Sequence, residues 1–444
     1  MTTAAPPSPA PAPARPLPLA SATVHSTLPL AARYFAVSAA FLVAGSVGLV
    51  WIAPYLAAGL FPAPQVAGVT HLFTLGWLTL TIFGAMAQIS PMALGAPVRS
   101  VRWAHVAFWL LPPSIALFAY GVATSSMNAT SIGVGGVAVG IALNVGNFGA
   151  SLARARTRDV TWAGLVIGLA FLASTLVLGM VLAHNLHYGS LAAARARVLS
   201  AHLHVAIVGW VLVVIVGVSN RMLPMFLIAR GATATWSRRS VALLTAGVPV
   251  LAFGLADGWP AVTWTGAALV EAGVCAFLWQ AWTFIRIRTR RALDSGMRFA
   301  AAGLAYLIVA AVLGPLALVY GAAAPRLATA YVATALLGAL TLYVVGHYYR
   351  VASMLVWSLR FAGHAGRGPV RAATDLYSAR LVHVQLACMA GGVALVVAGI
   401  GAASPALARA GASAVLAGSL VMAYQLIRMR WNPPGSHSNP VPHP

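Results

Sequence analysis

Charge is scarce in this sequence, and negative charge nearly absent. Of 444 residues 7% are charged, with 5 Asp and Glu against 27 basic residues. Every basic residue is Arg; lysine does not occur. A soluble domain carries about a quarter charged residues, so a chain wetted on all sides is excluded. Without lysine there is no phosphate loop of the GxxxxGK[ST] kind. Asp159, Asp257, Asp294 and Asp375 fall outside the long apolar runs and read as solvated, while Glu271 alone falls inside one. That leaves no paired carboxylates for general acid–base work. The two cysteines, Cys275 and Cys388, form neither a disulfide framework nor a CxxC pair and read as small apolar side chains. A net charge of +22 would elsewhere suggest nucleic acid. Here the arginines border apolar runs, where anionic lipid explains them better, so the partner they imply is the bilayer.

What the chain has in excess is apolar length: 60% of its residues are hydrophobic. A membrane-spanning helix needs about 20 apolar residues. Twelve stretches qualify: 34–59, 68–93, 103–124, 130–152, 160–183, 198–228, 239–256, 261–284, 297–320, 327–349, 378–401 and 405–428. The expected fold is an all-α integral membrane protein with one transmembrane domain over 31–430. The Ala- and Pro-rich residues 1–30 and residues 431–444 read as disordered tails. The N-terminus lacks the pattern of a signal peptide, so the first span is expected to be retained. Alternating the spans sends 23 of the 27 Arg to one side; only Arg195, Arg197, Arg326 and Arg409 fall on the other. The positive-inside rule then places both termini in the cytoplasm and the chain in the inner (cytoplasmic) membrane.

An internal repeat runs through the spans. HLFTLGWLTLTIFGAMAQISPM from His71 aligns without gaps on HVAIVGWVLVVIVGVSNRMLPM from His204, at an offset of 133. A partial third copy lies a further 129 along, with Gly338, Gly346 and Arg350 in register but Ala333 in place of the histidine. Repeats of four spans share one orientation. Three of them predict pseudo-equivalent four-helix units about an axis along the membrane normal.

Histidine supplies the candidate chemistry. Ionisable residues inside a membrane face a bundle interior and mark function, and imidazole ligates haem iron and copper. His71 and His204 open equivalent spans at equal depth on the Arg-poor side, an arrangement suited to the two axial positions of one haem. His202 and His204 diverge by about 200° on a helix, so His202 is expected to face a second site. His184 and His187 share a helix face and are candidates to contribute to it. The glycines beside both key histidines would admit a flat macrocycle. His105, His347 and His383 lie near the Arg-rich boundary and read as solvated or head-group-facing. Glu271 is open to two readings, a proton relay or a helix-packing hydrogen bond.

The run AHLHVAIVGW (201–210), with Gly217 and Pro224, resembles the HxH-bearing helix of subunit I of haem–copper oxidases, above all the cbb3 type, and THLFTLGW (70–77) is similar to such a helix. That family has twelve spans in three arcs of four. The resemblance implies that His202 holds a high-spin haem, and that His204 and His71 hold a low-spin haem. It departs from the family in three ways: the HxH motif lies on span 6 instead of span 10, no His–His dipeptide occurs, and span 7 has no histidine, so an evident copper site is lacking. Topology and histidine content are more distantly similar to NnrS-type haem and copper membrane proteins. The expected function is that of a membrane protein with one or two b-type haems, in electron transfer or small-gas chemistry. Nitric oxide or oxygen would be the ligand, and a redox protein a candidate partner. Whether it is an oxidoreductase stays open. The alternatives are a transporter or channel with a His-lined pathway, or a haem-dependent sensor or accessory protein.

Overall fold

Twelve helices long and apolar enough to cross a membrane account for nearly all of the computed structural model, which describes residues 18–289, 292–364 and 371–431. They are α1 (Thr27–Ala57), α2 (Pro64–Leu94), α3 (Val101–Thr124), α4 (Met127–Leu152), α5 (Val160–Tyr188), α6 (Ala192–Leu227), α7 (Thr235–Asp257), α8 (Pro260–Arg286), α9 (Ser295–Tyr320), α10 (Pro325–Arg360), α11 (Ala379–Gly401) and α12 (Pro405–Trp431). Each of the twelve expected spans finds its helix. The first helix extends back to Pro18, within the segment 1–30 read from sequence as a tail. Of the arginines counted above, Arg15, Arg290, Arg291 and Arg367 lie outside the described residues, as do 1–17 and 432–444 of the expected tails.

Three helices are interior and nine surround them. The most apolar stretches of α2, α6 and α10 are 78, 67 and 78% buried, against 22–50% in the other nine. The interior three meet one another in pairs along wide-turn segments with π-helical hydrogen bonding, Leu72–Thr79, Val205–Leu212 and Thr334–Thr341. These segments recur at the offsets of 133 and 129 read from sequence. In α2 the Thr79 hydroxyl donates to the Thr74 carbonyl at 2.8 Å, a five-residue step that matches the wide turn.

Side chains repeat the same threefold plan. A Cβ at Gly76 would lie 2.4 Å from the Phe41 ring, one at Gly209 2.8 Å from Phe171, and one at Gly338 2.5 Å from Tyr306. The first helix of each repeat therefore presses an aromatic ring onto the second. The third and fourth helices form a hairpin closed by backbone contact at Gly121, Gly254 and Gly399, each with a partner glycine 12 residues on. An amide on the fourth helix clamps the loop before the third. Asn147 bonds the Ser100 N–H and carbonyl, both at 2.8 Å. Gln280 accepts from Trp236 N–H and donates to the Thr233 carbonyl, and Gln425 bonds both backbone groups of Ser378. The third hairpin runs at an offset of 145 from the second, so 16 extra residues enter between α10 and α11. This insertion hides the last third of the repeat from a gap-free comparison.

The two ends of the bundle segregate by loop, as alternation of the spans requires. At the Arg-rich end, Arg156 N–H donates to the Leu94 carbonyl and Thr289 N–H to that of Ile228. At the other end the Arg195 guanidinium donates to the Pro62 carbonyl at 3.1 Å.

Candidate functional site

The interior helices enclose three clefts, and the repeat assigns each cleft one residue from either wall. Position 71 has equivalents at 204 and 333, and position 202 has equivalents at 69 and 331. The three facing pairs are His71 with His202, His204 with Tyr331, and Ala333 with Val69. Two clefts are thus polar, and the third is apolar at both positions.

In the cleft between α2 and α6, His71 Nδ1–H donates to the Ala67 carbonyl one turn back at 2.7 Å. A carbonyl only accepts, so this bond fixes the neutral ring with its lone pair on Nε2. The Phe118 ring meets His71 edge-on at 4.9 Å. The His202 ring centre lies 6.5 Å from that of His71, with the planes tilted by 36°. His202 Nδ1 is buried beside the α5 backbone at Thr175 and Gly179. Cavities of about 60 and 90 Å³ flank the pair, and His71, Thr74, His202 and Ala206 line both.

In the cleft between α6 and α10, His204 Nδ1–H donates to the Ser200 carbonyl at 2.8 Å, the same bond one repeat on. Its Nε2 accepts from the Tyr331 hydroxyl at 3.3 Å, with the rings stacked at 5.9 Å. Both line a cavity of about 140 Å³ together with Ser200 and Glu271, the one acid away from a span end.

The structure therefore pairs the histidines differently from the sequence expectation. His71 and His204 do not face each other, and no cavity is lined by both. The reason is rotational. Residues related by a threefold axis point in the same sense around it, each into the next cleft, unless they point at the axis itself. The partner of His71 is the HxH residue on the opposite face of α6, His202. Tyr331 escaped sequence reading, although the offset of 129 from His202 marks its position. Nor do the glycines make room for a macrocycle: Gly76 and Gly209 admit Phe41 and Phe171.

His184 is exposed at the end of α5, bonded to Ser190 at 3.2 Å and stacked on Tyr188. His187 Nε2 is buried without a partner among the described residues, and neither residue lines a cavity that holds His71, His202 or His204. His347, expected at a wetted boundary, instead has its Nε2 buried inside the bundle. His383 is exposed as expected, 3.4 Å from Ser295. Cys275 is exposed on the outer surface of α8, not packed inside, and Cys388 is half-buried.

The donor set bears on a metal or haem directly. No group of three or more His, Cys, Asp or Glu that could hold a metal ion occurs among the described residues. A two-histidine set is short of what a free ion needs, yet it is the complete protein contribution to a haem held from both sides. Two imidazoles sharing one metal at about 2 Å each stand about 6 Å apart between ring centres, close to the 6.5 Å of His71 and His202. The cavities on both flanks fit the same group. His204 fits less well, because Tyr331 already occupies its Nε2.

A chain of a heme-copper terminal oxidase dimer solved by cryo-electron microscopy is similar to this one, with a TM-score of 0.40 and 15% identity, covering 92% of this chain and 85% of that chain. No family model matches the sequence, and no curated protein matches it.

Proposed function

We propose that this chain is an integral membrane haem protein that holds a b-type haem between His71 and His202 and serves electron transfer, with small-gas chemistry, nitric oxide or oxygen, open to it only if one histidine is displaced. One observation carries the proposal: the two rings stand 6.5 Å apart inside the bundle, with no third His, Cys, Asp or Glu grouped with them among the described residues. Bound there, a haem would supply one-electron redox chemistry. The residues of the chain do the rest. The Ala67 carbonyl orients His71 and raises the basicity of its Nε2. Phe118 holds that ring edge-on. The apolar walls of both cavities keep water from the pair. His71 lies seven residues past the start of α2, about 10 Å along the helix, so electrons would be exchanged with a redox partner at the Arg-poor end. With the Arg-rich end in the cytoplasm by the positive-inside rule, that partner works on the far side of an inner membrane.

The absorption spectrum of the purified protein, oxidised and reduced, tests this. A Soret band is expected in the wild type and in His204→Ala, and its loss in His71→Ala and in His202→Ala. A folded but colourless wild type refutes the proposal, and a band lost only in His204→Ala moves the site to the next cleft. The cavity of about 140 Å³ around Glu271, Tyr331 and His204 favours a second reading, a transporter with a protonatable pathway. A colourless protein with an intact fold would turn the assignment to it.

A further inference from the structure

A groove of about 740 Å³ runs along the outer surface of the hairpin of α7 and α8, in the half of the bundle toward the Arg-rich end. Its bed is made of small side chains, Ala242 and Ala246 on α7 and Ala272, Cys275 and Ala276 on α8. Two tryptophans flank its mouth: Trp236 and Trp279 meet edge-on, with ring centres 6.3 Å apart. The Arg239 guanidinium lies over the Trp236 ring, 4.5 Å from its centre. Charge, aromatic rings and a narrow apolar bed thus follow one another from the Arg-rich end inward.

The walls are held in place. The Ser240 hydroxyl donates to the Gly273 carbonyl at 2.8 Å, and a Cβ at Gly273 would lie 2.8 Å from Leu244, so the two helices are in close contact at this level. Gln280 accepts from the Trp236 and Ser237 N–H groups, both at 3.1 Å, which fixes the start of α7 against α8. Arg239 pairs with no acid among the described residues. The repeat supplies two internal comparisons, at the offsets of 133 and 145. In place of Arg239 and Trp279 the first hairpin has Val106 and Gly146, and the third has Val384 and Tyr424. The first also puts Trp109 where Ala242 opens the bed. The combination belongs to the second hairpin and is not a by-product of the shared plan.

We infer that this groove binds one anionic glycerophospholipid of the Arg-rich leaflet, with its phosphate at Arg239 and one acyl chain along the alanines. A planar guanidinium matches the oxygens of a phosphate, and stacking on a ring holds it in one orientation. An arginine without a carboxylate partner leaves its charge for an anionic head group. Tryptophan favours the level between head group and hydrocarbon. From Trp236 to Ala246 is ten residues, about 15 Å along the helix, which is one leaflet of a hydrocarbon core about 30 Å thick. A helix of a second copy would cross both leaflets, whereas this bed ends at the depth of one. The site lies on the outer surface and is independent of the haem assignment.

The test is native mass spectrometry of the full-length protein, delipidated in detergent and titrated with phosphatidylglycerol or with phosphatidylcholine. One phosphatidylglycerol per chain is expected to bind first, and more tightly than phosphatidylcholine. Arg239→Gln should weaken phosphatidylglycerol about fivefold, the contribution of one arginine near an anionic surface. The double variant Ala246→Leu/Ala272→Leu fills the bed from two exposed positions. It should weaken both lipids and leave the melting temperature of the delipidated protein almost unchanged. Arg102→Gln removes an exposed arginine at the same end, on α3, and should bind as the wild type does. Equal binding of the two lipids, or Arg239→Gln binding as the wild type does, overturns the inference. So does an equal loss in Arg102→Gln, which would mean attraction spread over the whole Arg-rich face. A lipid-free dimer that the groove-filling variant dissociates would give the groove to a second copy of the chain and overturn it too. The comparison of the two lipids needs only the wild type, so it decides even where a variant does not fold.

Discussion

Asp294 shows how much a single residue carries in a chain with so few acids. Its carboxylate accepts from Met297 N–H at 3.1 Å, capping α9, and pairs with Arg350. Asp159 repeats the arrangement one unit earlier: it caps α5 through Thr161 and Trp162 N–H and pairs with Arg221 at 2.8 Å. In the first unit the arginine position is occupied by Gln88. Neither aspartate is simply solvated, as its place in a loop had suggested. The side chains of the Asp294 pair are each 18% exposed, against 35 and 31% for Arg221 and Asp159, so solvent screens the second pair more. Asp294→Ala is therefore expected to cost about 2 kcal/mol and Asp159→Ala about 1 kcal/mol, as a lost cap plus a partly screened ion pair. Unfolding in detergent measures both, and equal costs would contradict the ranking.

At the scale of the helices, close packing rests on positions where no side chain fits. Gly76 and Gly209 sit inside the wide-turn segments, each under an aromatic ring from the first helix of its own repeat. Alanine at either site must displace that ring or the helix, and overpacking of this kind costs about 1–3 kcal/mol. Gly135 in α4 has nothing within 4 Å of an added Cβ. There, alanine should leave stability unchanged or raise it by up to about 1 kcal/mol through helix propensity. Melting curves of Gly76→Ala, Gly209→Ala and Gly135→Ala compare the three; a Gly76→Ala protein as stable as Gly135→Ala would sink the packing account. The wide turns themselves were invisible in the sequence, since HLFTLGW and HVAIVGW fit an ordinary helix equally well. They lie where the three interior helices meet one another. Once the extra residue is accommodated, it resets which faces the lower halves of α2, α6 and α10 present.

For the whole molecule, the arginine asymmetry makes a directional prediction. In a variant with Cys275 and Cys388 replaced by serine, a cysteine at Ser190 in the α5–α6 loop should react with a membrane-impermeant maleimide added outside intact spheroplasts. A cysteine at Thr157 in the α4–α5 loop should react only after lysis. The reverse pattern would invert the bundle and put the proposed redox partner in the cytoplasm. Both positions are exposed, so labelling reports sidedness and not burial.

Twelve spans, their alternation and the offset of 133 followed from the sequence alone, because apolar length, arginine placement and identity in register are properties of the chain in one dimension. The same one-dimensional signal marked His71, His202 and His204 as interior residues. It did not determine which of them meet. That depended on the sense in which three interior helices wind about one another: equivalent side chains in the clefts point past one another, which gives His71 to His202 and His204 to Tyr331. The third repeat, a partial copy in sequence with Ala333 for histidine, was completed in space: past 16 inserted residues its wide turn, its glycine contacts and its amide clamp take the same places. His347 was assigned to water by its nearness to arginine in sequence. Its helix instead carries the ring into the bundle, stacked on Tyr343 and beside Phe226 of α6, a neighbour that no spacing along the chain records.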